Sequence, residues 1–549
     1  MAKSQLAYGV SLAAIAVMML GATAQAQNVA AAQAGGGFQR GGGGHHHSGG
    51  GGGNSNAQVG AVDPGVRGGA PTAGQPLPGI SQDQTNFFTV SQDTFNEVDT
   101  VATGLGPGFN LDGCGGCHAF PATGGSSPAT NPQIAVATAM GATNKVPSFI
   151  TSNGPIREAR FVLNPDGTPD GGVHDLFSIS GRADAGSCDL AQPDFATQLA
   201  KNNVIFRTPP PTYGSGLIEA LSDGTLRADF AAQAQQKASL GISGAFNTSG
   251  NTGNITRFGW KAQNISMLMF AGEAYNAEQG VTNELFPNER NNPDASCQLN
   301  ATPEDTTPLT EATPASASQS ADFNSDISQF AMYMRLLAAP TPAIPLNLPE
   351  GGTVPAGTAT TASTATASTA DATASTADPT ATSTTPASTP VAMASVLPAA
   401  AGASAASAAA SSAAATPTAA QVNAGLQAFV NVGCSACHTV SHTTGSSSLG
   451  AAASNVTINP FSDYATHNMG SGLADRITQG NANGFMFRSA PLWGVGQRAF
   501  FLHDGRTSDL VQAIEQHASS GSEANQVIGQ FNMLSTTDQQ NILNFLRNL

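Results

Sequence analysis

Two stretches of the chain carry reactive side chains at one spacing. "GCGGCHAF" (113–120) holds Cys114, Cys117 and His118, and "GCSACHTV" (433–440) holds Cys434, Cys437 and His438. Two thiols and an imidazole within five residues suit three chemistries. A zinc corner wants four ligands near one another, and each stretch offers three on one short turn. A redox dithiol of the thioredoxin kind wants a βαβ context, which is absent. Cys-x-x-Cys-His is also the attachment signal for c-type haem, where both thiols add to the vinyl groups and the histidine gives iron an axial nitrogen. Two copies in one chain favour the third chemistry.

Helices must position these turns. "TAAQVNAGLQAFVNVG" (418–433) predicts an amphipathic helix with Val422, Leu426, Phe429 and Val430 on one face, running straight into the second motif. "DISQFAMYMRLLAAP" (326–340) and "DQQNILNFLRNL" (538–549) predict two more. Their apolar faces carry Ile327, Phe330 and Met334, or Ile542, Phe545, Leu546 and Leu549. "STTD" (535–538) has capping-box spacing before the last helix. "FRTPPPTYGSG" (206–216) and "FRSAPLWGVG" (487–496) share Phe-Arg, a proline, an aromatic and Gly-x-Gly. A helix, a cysteine motif and a distant closing helix therefore form a repeated organisation.

At 549 residues the chain has room for two or three domains. Charge is sparse and the net is −16, which argues against nucleic acid, whose phosphates need Lys and Arg. Lys3, the apolar stretch "LAAIAVMML" (12–20) and the small-residue pattern Ala24-Gln25-Ala26 predict a signal peptide over 1–26. The alternative is an N-terminal membrane anchor; no other segment is apolar enough to span a bilayer. The mature protein is expected to be periplasmic or secreted, with no transmembrane segment. Residues 27–80 form a Gly-rich segment expected to be disordered, and its His45, His46 and His47 fit a solvated tract better than a metal site. Residues 350–418 are an Ala/Thr/Ser/Pro-rich linker. That leaves a first haem domain at 81–349 and a second at 419–549. Cys188 and Cys297 remain as an even pair, which an oxidising compartment would join.

Longer stretches carry a family resemblance. "GLGPGFNLDGCGGCHAFPATGGS" (104–126), "LFSISGRADAGSCDLAQPDF" (176–195) and "PTYGSGLIEA" (211–220) resemble the di-haem oxidoreductase family. So do "RFGWKAQ" (257–263), "FAGEAYNAEQGVTNELFP" (270–287) and "APLWGVGQRAFFLHDGRTSDLVQAIEQH" (490–517). The family is related to bacterial di-haem cytochrome c peroxidases. The resemblance implies a mainly α fold: two cytochrome c-like haem domains with long irregular loops, here with disordered N-terminal and interdomain segments. The interrupting linker departs from the family pattern.

The two irons are expected to differ. His517 follows His503 by fourteen residues, where the peroxidase relatives place an axial methionine. The second iron is then held by His438 and His517, with His467, Met469 and Met486 as competitors. In the first folded unit the only histidines are His118 and His174, so its iron keeps an open or weakly held site unless His174 binds it. Glu219, Glu273 and Glu278 sit in apolar company, where a carboxyl shuttles protons near neutrality. Tyr275 adds a donor or radical site. The relatives suggest Trp260 as an electron relay between haems, with Trp493 as core packing. Arg207 and Arg488 are candidates for holding haem propionates.

Two functions from different classes fit. One is a peroxidase-like enzyme in which electrons pass from the second haem to a reactive first haem. The other is a non-catalytic di-haem electron-transfer cytochrome. The expected cofactors are two covalently bound haems, with calcium as a further candidate. The expected partners are a small redox protein or other electron donor, and peroxide or a small organic substrate.

Overall fold

The glycines of the two Gly-x-Gly landmarks explain how each half closes. In the second half, a Cβ on Gly496 would lie 2.1 Å from the Arg547 carbonyl; in the first, a Cβ on Gly216 would lie 2.1 Å from the Arg335 carbonyl. Only glycine allows backbone to meet backbone this closely. The preceding Gly214 and Gly494 are left-handed (φ +67° and +74°) and donate to Leu337 O (3.1 Å) and Leu549 O (2.9 Å), at the ends of the two closing helices.

The computed structural model describes residues 60–170, 178–188, 190–288, 295–307, 324–349, 353–354 and 416–549. The predicted signal peptide, His45–His47, His174 and nearly all of the linker lie outside them. The described residues belong to one unit. They are 34% helical, with four short antiparallel strand pairs and long irregular connections.

The elements that frame the site are few. Helix α1 is Gln82–Phe95, opened by a capping box between Ser81 and Gln84. Helix α2 is Met267–Gln279, capped by the Ser266 hydroxyl and ended by left-handed Gly280. Helix α3 is Asp326–Leu336, α4 is Ala419–Asn431, α5 is Leu510–Glu515 and α6 is Thr536–Asn548. Strands β1 (Glu158–Phe161) and β2 (Val204–Arg207) pair antiparallel with Glu158 opposite Arg207. Strands β3 (Thr466–Asn468) and β4 (Met486–Arg488) pair with Thr466 opposite Arg488. Both Phe-Arg landmarks thus end a strand.

Each half packs an opening helix on a closing helix. In the first, Phe95 of α1 meets Phe330 of α3 at 6.0 Å; in the second, Phe429 of α4 meets Phe545 of α6 at 5.3 Å. Phe95 is also 6.0 Å from the His118 ring, and Phe429 is 6.3 Å from His438. Ile327, Phe330 and Met334 are buried, as are Ile542, Phe545, Leu546 and Leu549. Val430, expected on the buried face of α4, is half-buried. At the α6 start the Ser535 hydroxyl accepts the Asp538 amide (3.2 Å) and donates to the Asp538 carboxylate (2.7 Å). That is one arm of a capping box, because the shorter Asp takes the hydroxyl instead of the Ser535 amide.

The halves share interior. The first core includes Leu449, Ile458, Tyr464 and Trp493. Buried ion pairs join Arg207 and Lys261 to Asp475, and Lys237 to Asp463. Cys188 and Cys297 form a disulfide. Residues 60–80, assigned by composition to the disordered segment, instead run along the ends of both closing helices. Asp63 pairs with Arg547 (2.6 Å) and accepts the Leu510 amide, while Leu77 donates to Leu336 O. The glycine tract that shaped the expectation stops before residue 60, and the buried Asp63–Arg547 pair anchors the chain beyond it. Among the described residues no helix is long and apolar enough to cross a membrane.

Candidate functional site

The first cysteine motif forms a single helical turn, Cys114–Cys117. The His118 amide donates to Cys114 O (3.0 Å) and its Nδ1 lies 2.9 Å from Gly125 O. In the second motif the turn is Cys434–Ala436, His438 N donates to Cys434 O (2.9 Å), and Nδ1 lies 2.9 Å from Phe461 O. A proton held on Nδ1 by a carbonyl leaves the Nε2 lone pair for a metal, the arrangement that iron-ligating histidines use. The four cysteines form no disulfide. Burial and then the nearby Asp99 and Glu97 push the Cys114 thiol well above its ordinary range.

A cleft of about 1140 Å³ adjoins the first turn. Its wall on α2 is formed by Phe270, Ala271, Glu273, Ala274, Ala277 and Glu278, spaced as one face of a helix. Glu278 is half-buried and accepts from Asn110 Nδ2 (2.9 Å); desolvation, then the neighbouring Glu158, push it up to about 8. Glu273 accepts from Asn264 Nδ2 (2.6 Å). Two cleft residues escaped the sequence reading. Glu158 and Arg160 of β1 pair at 2.7 Å and both line the cleft, with no local motif to mark them.

Two readings change. Glu219 lies outside both clefts. It pairs with Arg335 of α3 (2.5 Å) and accepts the Met267 amide (3.1 Å), because the short helix Ser215–Glu219 ends facing α3. Tyr275 also lies outside the clefts: its hydroxyl reaches Asp99 (3.3 Å) and Asp326 (3.2 Å) on the other face of α2.

The second cleft, about 1330 Å³ of empty space counted with its opening to solvent, is lined by His438 and His517 together. His517 follows α5, and its Nδ1 lies 2.7 Å from Ala513 O. Burial pushes His438 down to about 4, and the nearby His517 ring contributes. Met469 lines this cleft; Met486 does not. His467 lines it too, but both ring nitrogens face carboxylates, leaving no lone pair for a metal. Trp260 lines both clefts and donates from Nε1 to Thr208 O (2.9 Å).

The cleft arginines test which group would fit. Arg488 Nε and Arg498 Nε and Nη2 are buried without hydrogen-bond partners, and both residues line the second cleft. Burial pushes both guanidiniums down to about 10. Unpaired buried donors beside an apolar cleft call for an anion, and the carboxylates of a haem supply one. Arg207 lines the first cleft, where its Nε is likewise buried without a hydrogen-bond partner while Nη2 goes to Asp475 (2.7 Å). Trp493 packs in the first core. Among the described residues no three or more His, Cys, Asp or Glu side chains gather around a metal position.

Each of the two cysteine-histidine turns lines its own cleft. Residues 355–549 match the family described as "Di-haem oxidoreductase, putative peroxidase", the family that the motifs of both halves resemble. The description of that family names haem and oxidoreduction. No curated protein and no solved structure matches the chain.

Proposed function

We propose that the protein is an exported di-haem c-type cytochrome with peroxidase-like activity, made of two cytochrome c-like haem domains. The observation that carries this is the unequal pair of clefts joined by Trp260. Cys114, Cys117 and His118 would hold one haem, and Cys434, Cys437, His438 and His517 the other. The haems would supply electron passage from the second cleft to the first and reduction of peroxide there.

The chain's own residues set the rest. His438 and His517, both in the wall of the second cleft, would each give its group an imidazole and so leave no position there for substrate. The described wall of the first cleft adds carboxylates rather than a second imidazole, so it suits a reactant that must gain protons. Glu278, poised near neutrality, holds a proton that Glu273 or Glu158 can receive in turn. Trp260 lies in the wall between the clefts, where an indole shortens any electron path. A small redox protein would supply electrons, and peroxide or a small organic molecule would consume them.

The test is a spin count. The oxidised holoprotein should show one high-spin and one low-spin haem by electron paramagnetic resonance, and His517→Ala should convert the low-spin signal. Cys434→Ala with Cys437→Ala should remove one haem by pyridine haemochrome assay. Two low-spin haems that ignore peroxide after partial reduction would replace this reading with that of a carrier.

A further inference from the structure

His467 has no part in the proposed function, yet its surroundings are built. The ring is 2% exposed and forms part of the second cleft's wall. Nε2 lies 3.1 Å from Asp463 Oδ2, and Nδ1 lies 3.1 Å from Glu523 Oε2. What else those oxygens accept decides where the protons are. Asp463 takes hydrogen bonds from Lys237 Nζ (2.7 Å), the Ser489 hydroxyl (2.6 Å) and the Ala465 amide (3.0 Å). Glu523 takes them from the Ser243 hydroxyl (2.6 Å) and the amides of Ser243 (3.2 Å) and Gly244 (3.1 Å). Both carboxyls are ringed by donors, so both are ionised acceptors. A ring held between two such acceptors donates from both nitrogens and is an imidazolium.

The backbone is shaped for that ring. Gly244 is left-handed (φ +58°), and a Cβ there would lie 2.7 Å from His467 Cε1. His467 Nδ1 is also 3.7 Å from Cys437 Sγ, which puts the charge against the haem-attachment turn. Of the four charged groups, His467 and Glu523 line the cleft, and Asp463 and Lys237 do not.

We infer that His467 is a fixed positive charge which, opposed by Glu523, sets the reduction potential of the group in the second cleft. The inference rests on the reading that this cleft holds a haem. An oxidised haem carries one more positive charge than a reduced one. A neighbouring cation therefore disfavours oxidation and raises the potential, and a neighbouring carboxylate lowers it. Neutralising each partner should shift the potential in opposite directions.

The experiment is an optical redox titration of the holoprotein at pH 7 for wild type, His467→Gln, Glu523→Gln and the double variant, with haem counted in each. His467→Gln should move the second haem's midpoint down, Glu523→Gln should move it up, and the double variant should fall between. A cleft merely loosened to water would move both single variants the same way, so parallel shifts, or none, overturn the inference. If His467→Gln does not fold, Glu523→Gln decides alone: an upward shift supports the inference, and an unchanged or lowered midpoint overturns it. Wild-type protein with no haem on Cys434 and Cys437 would instead overturn the reading beneath it.

Discussion

Asp475→Asn tests how the wall between the clefts is held. Asp475 is fully buried, with Arg207 Nη2 at 2.7 Å and Lys261 Nζ at 2.9 Å. Asparagine keeps the shape, removes the charge and turns an amide donor toward one of the cations. Arg207 retains Gln479 Oε1, and Lys261 retains the carbonyls of Asn483 and Met486, so neither cation loses every partner. Breaking a buried pair from one side costs about 3–5 kcal/mol. Part of that cost depends on pH. Burial lowers the Lys261 pKa to about 8, against the pull of Asp475, so losing Asp475 lowers it further. A lysine depressed in the folded state destabilises the fold while it is charged, and stability returns as it deprotonates with rising pH. Each further unit of depression costs about 1.4 kcal/mol once the pH is below the variant's own lowered lysine pKa, and nothing well above pH 8. Urea unfolding at pH 6 and pH 9 should therefore show the larger loss at pH 6. An equal loss at both pH values, or a loss under about 1 kcal/mol at pH 6, would refute the reasoning.

Two further outcomes are expected. Gly496→Ala should cost at least about 1–3 kcal/mol, because its Cβ meets the Arg547 carbonyl at 2.1 Å and backbone cannot rotate away; thermal unfolding followed by circular dichroism measures it. Glu278→Gln should slow reaction with peroxide by about 10²–10⁴-fold with both haem spectra nearly intact, while Glu219→Gln should leave that rate close to wild type. Stopped-flow rates separate the two, and equal effects would return Glu219 to the site.

The features legible in the sequence were those written in local periodicity. The spacing of Val422, Leu426 and Phe429 placed α4, and the stripe Ile542, Phe545, Leu546 placed α6. The Phe-Arg and Gly-x-Gly landmarks matched because they serve the same backbone contact in each half. Helix α1 was missed although "SQDQ" (81–84) carries its capping box, since only Phe88, Ser91 and Phe95 are fully buried and most of its other residues are polar, with Phe87 and Val90 half-buried beside them. Glu158 and Arg160 reach the cleft through strand pairing across more than forty residues, which no local pattern encodes. Glu219 misled for the converse reason. Its neighbours in sequence are apolar, but its neighbour in space is Arg335.

Asn423 near the start of α4 joins the two sides of the interruption in the chain. Its side chain donates to Pro345 O (3.2 Å) and accepts the Asn347 amide (2.6 Å), and Asn347 pairs with Thr353. The polypeptide therefore departs from and returns to one neighbourhood, and the residues between are not required to span a distance. Closing a loop between adjacent ends depends only weakly on its length. The halves are fastened instead by Asp475, Asp463 and the strap at Asp63, so a single proteolytic cut in the interruption should leave a two-piece protein that migrates and folds as one.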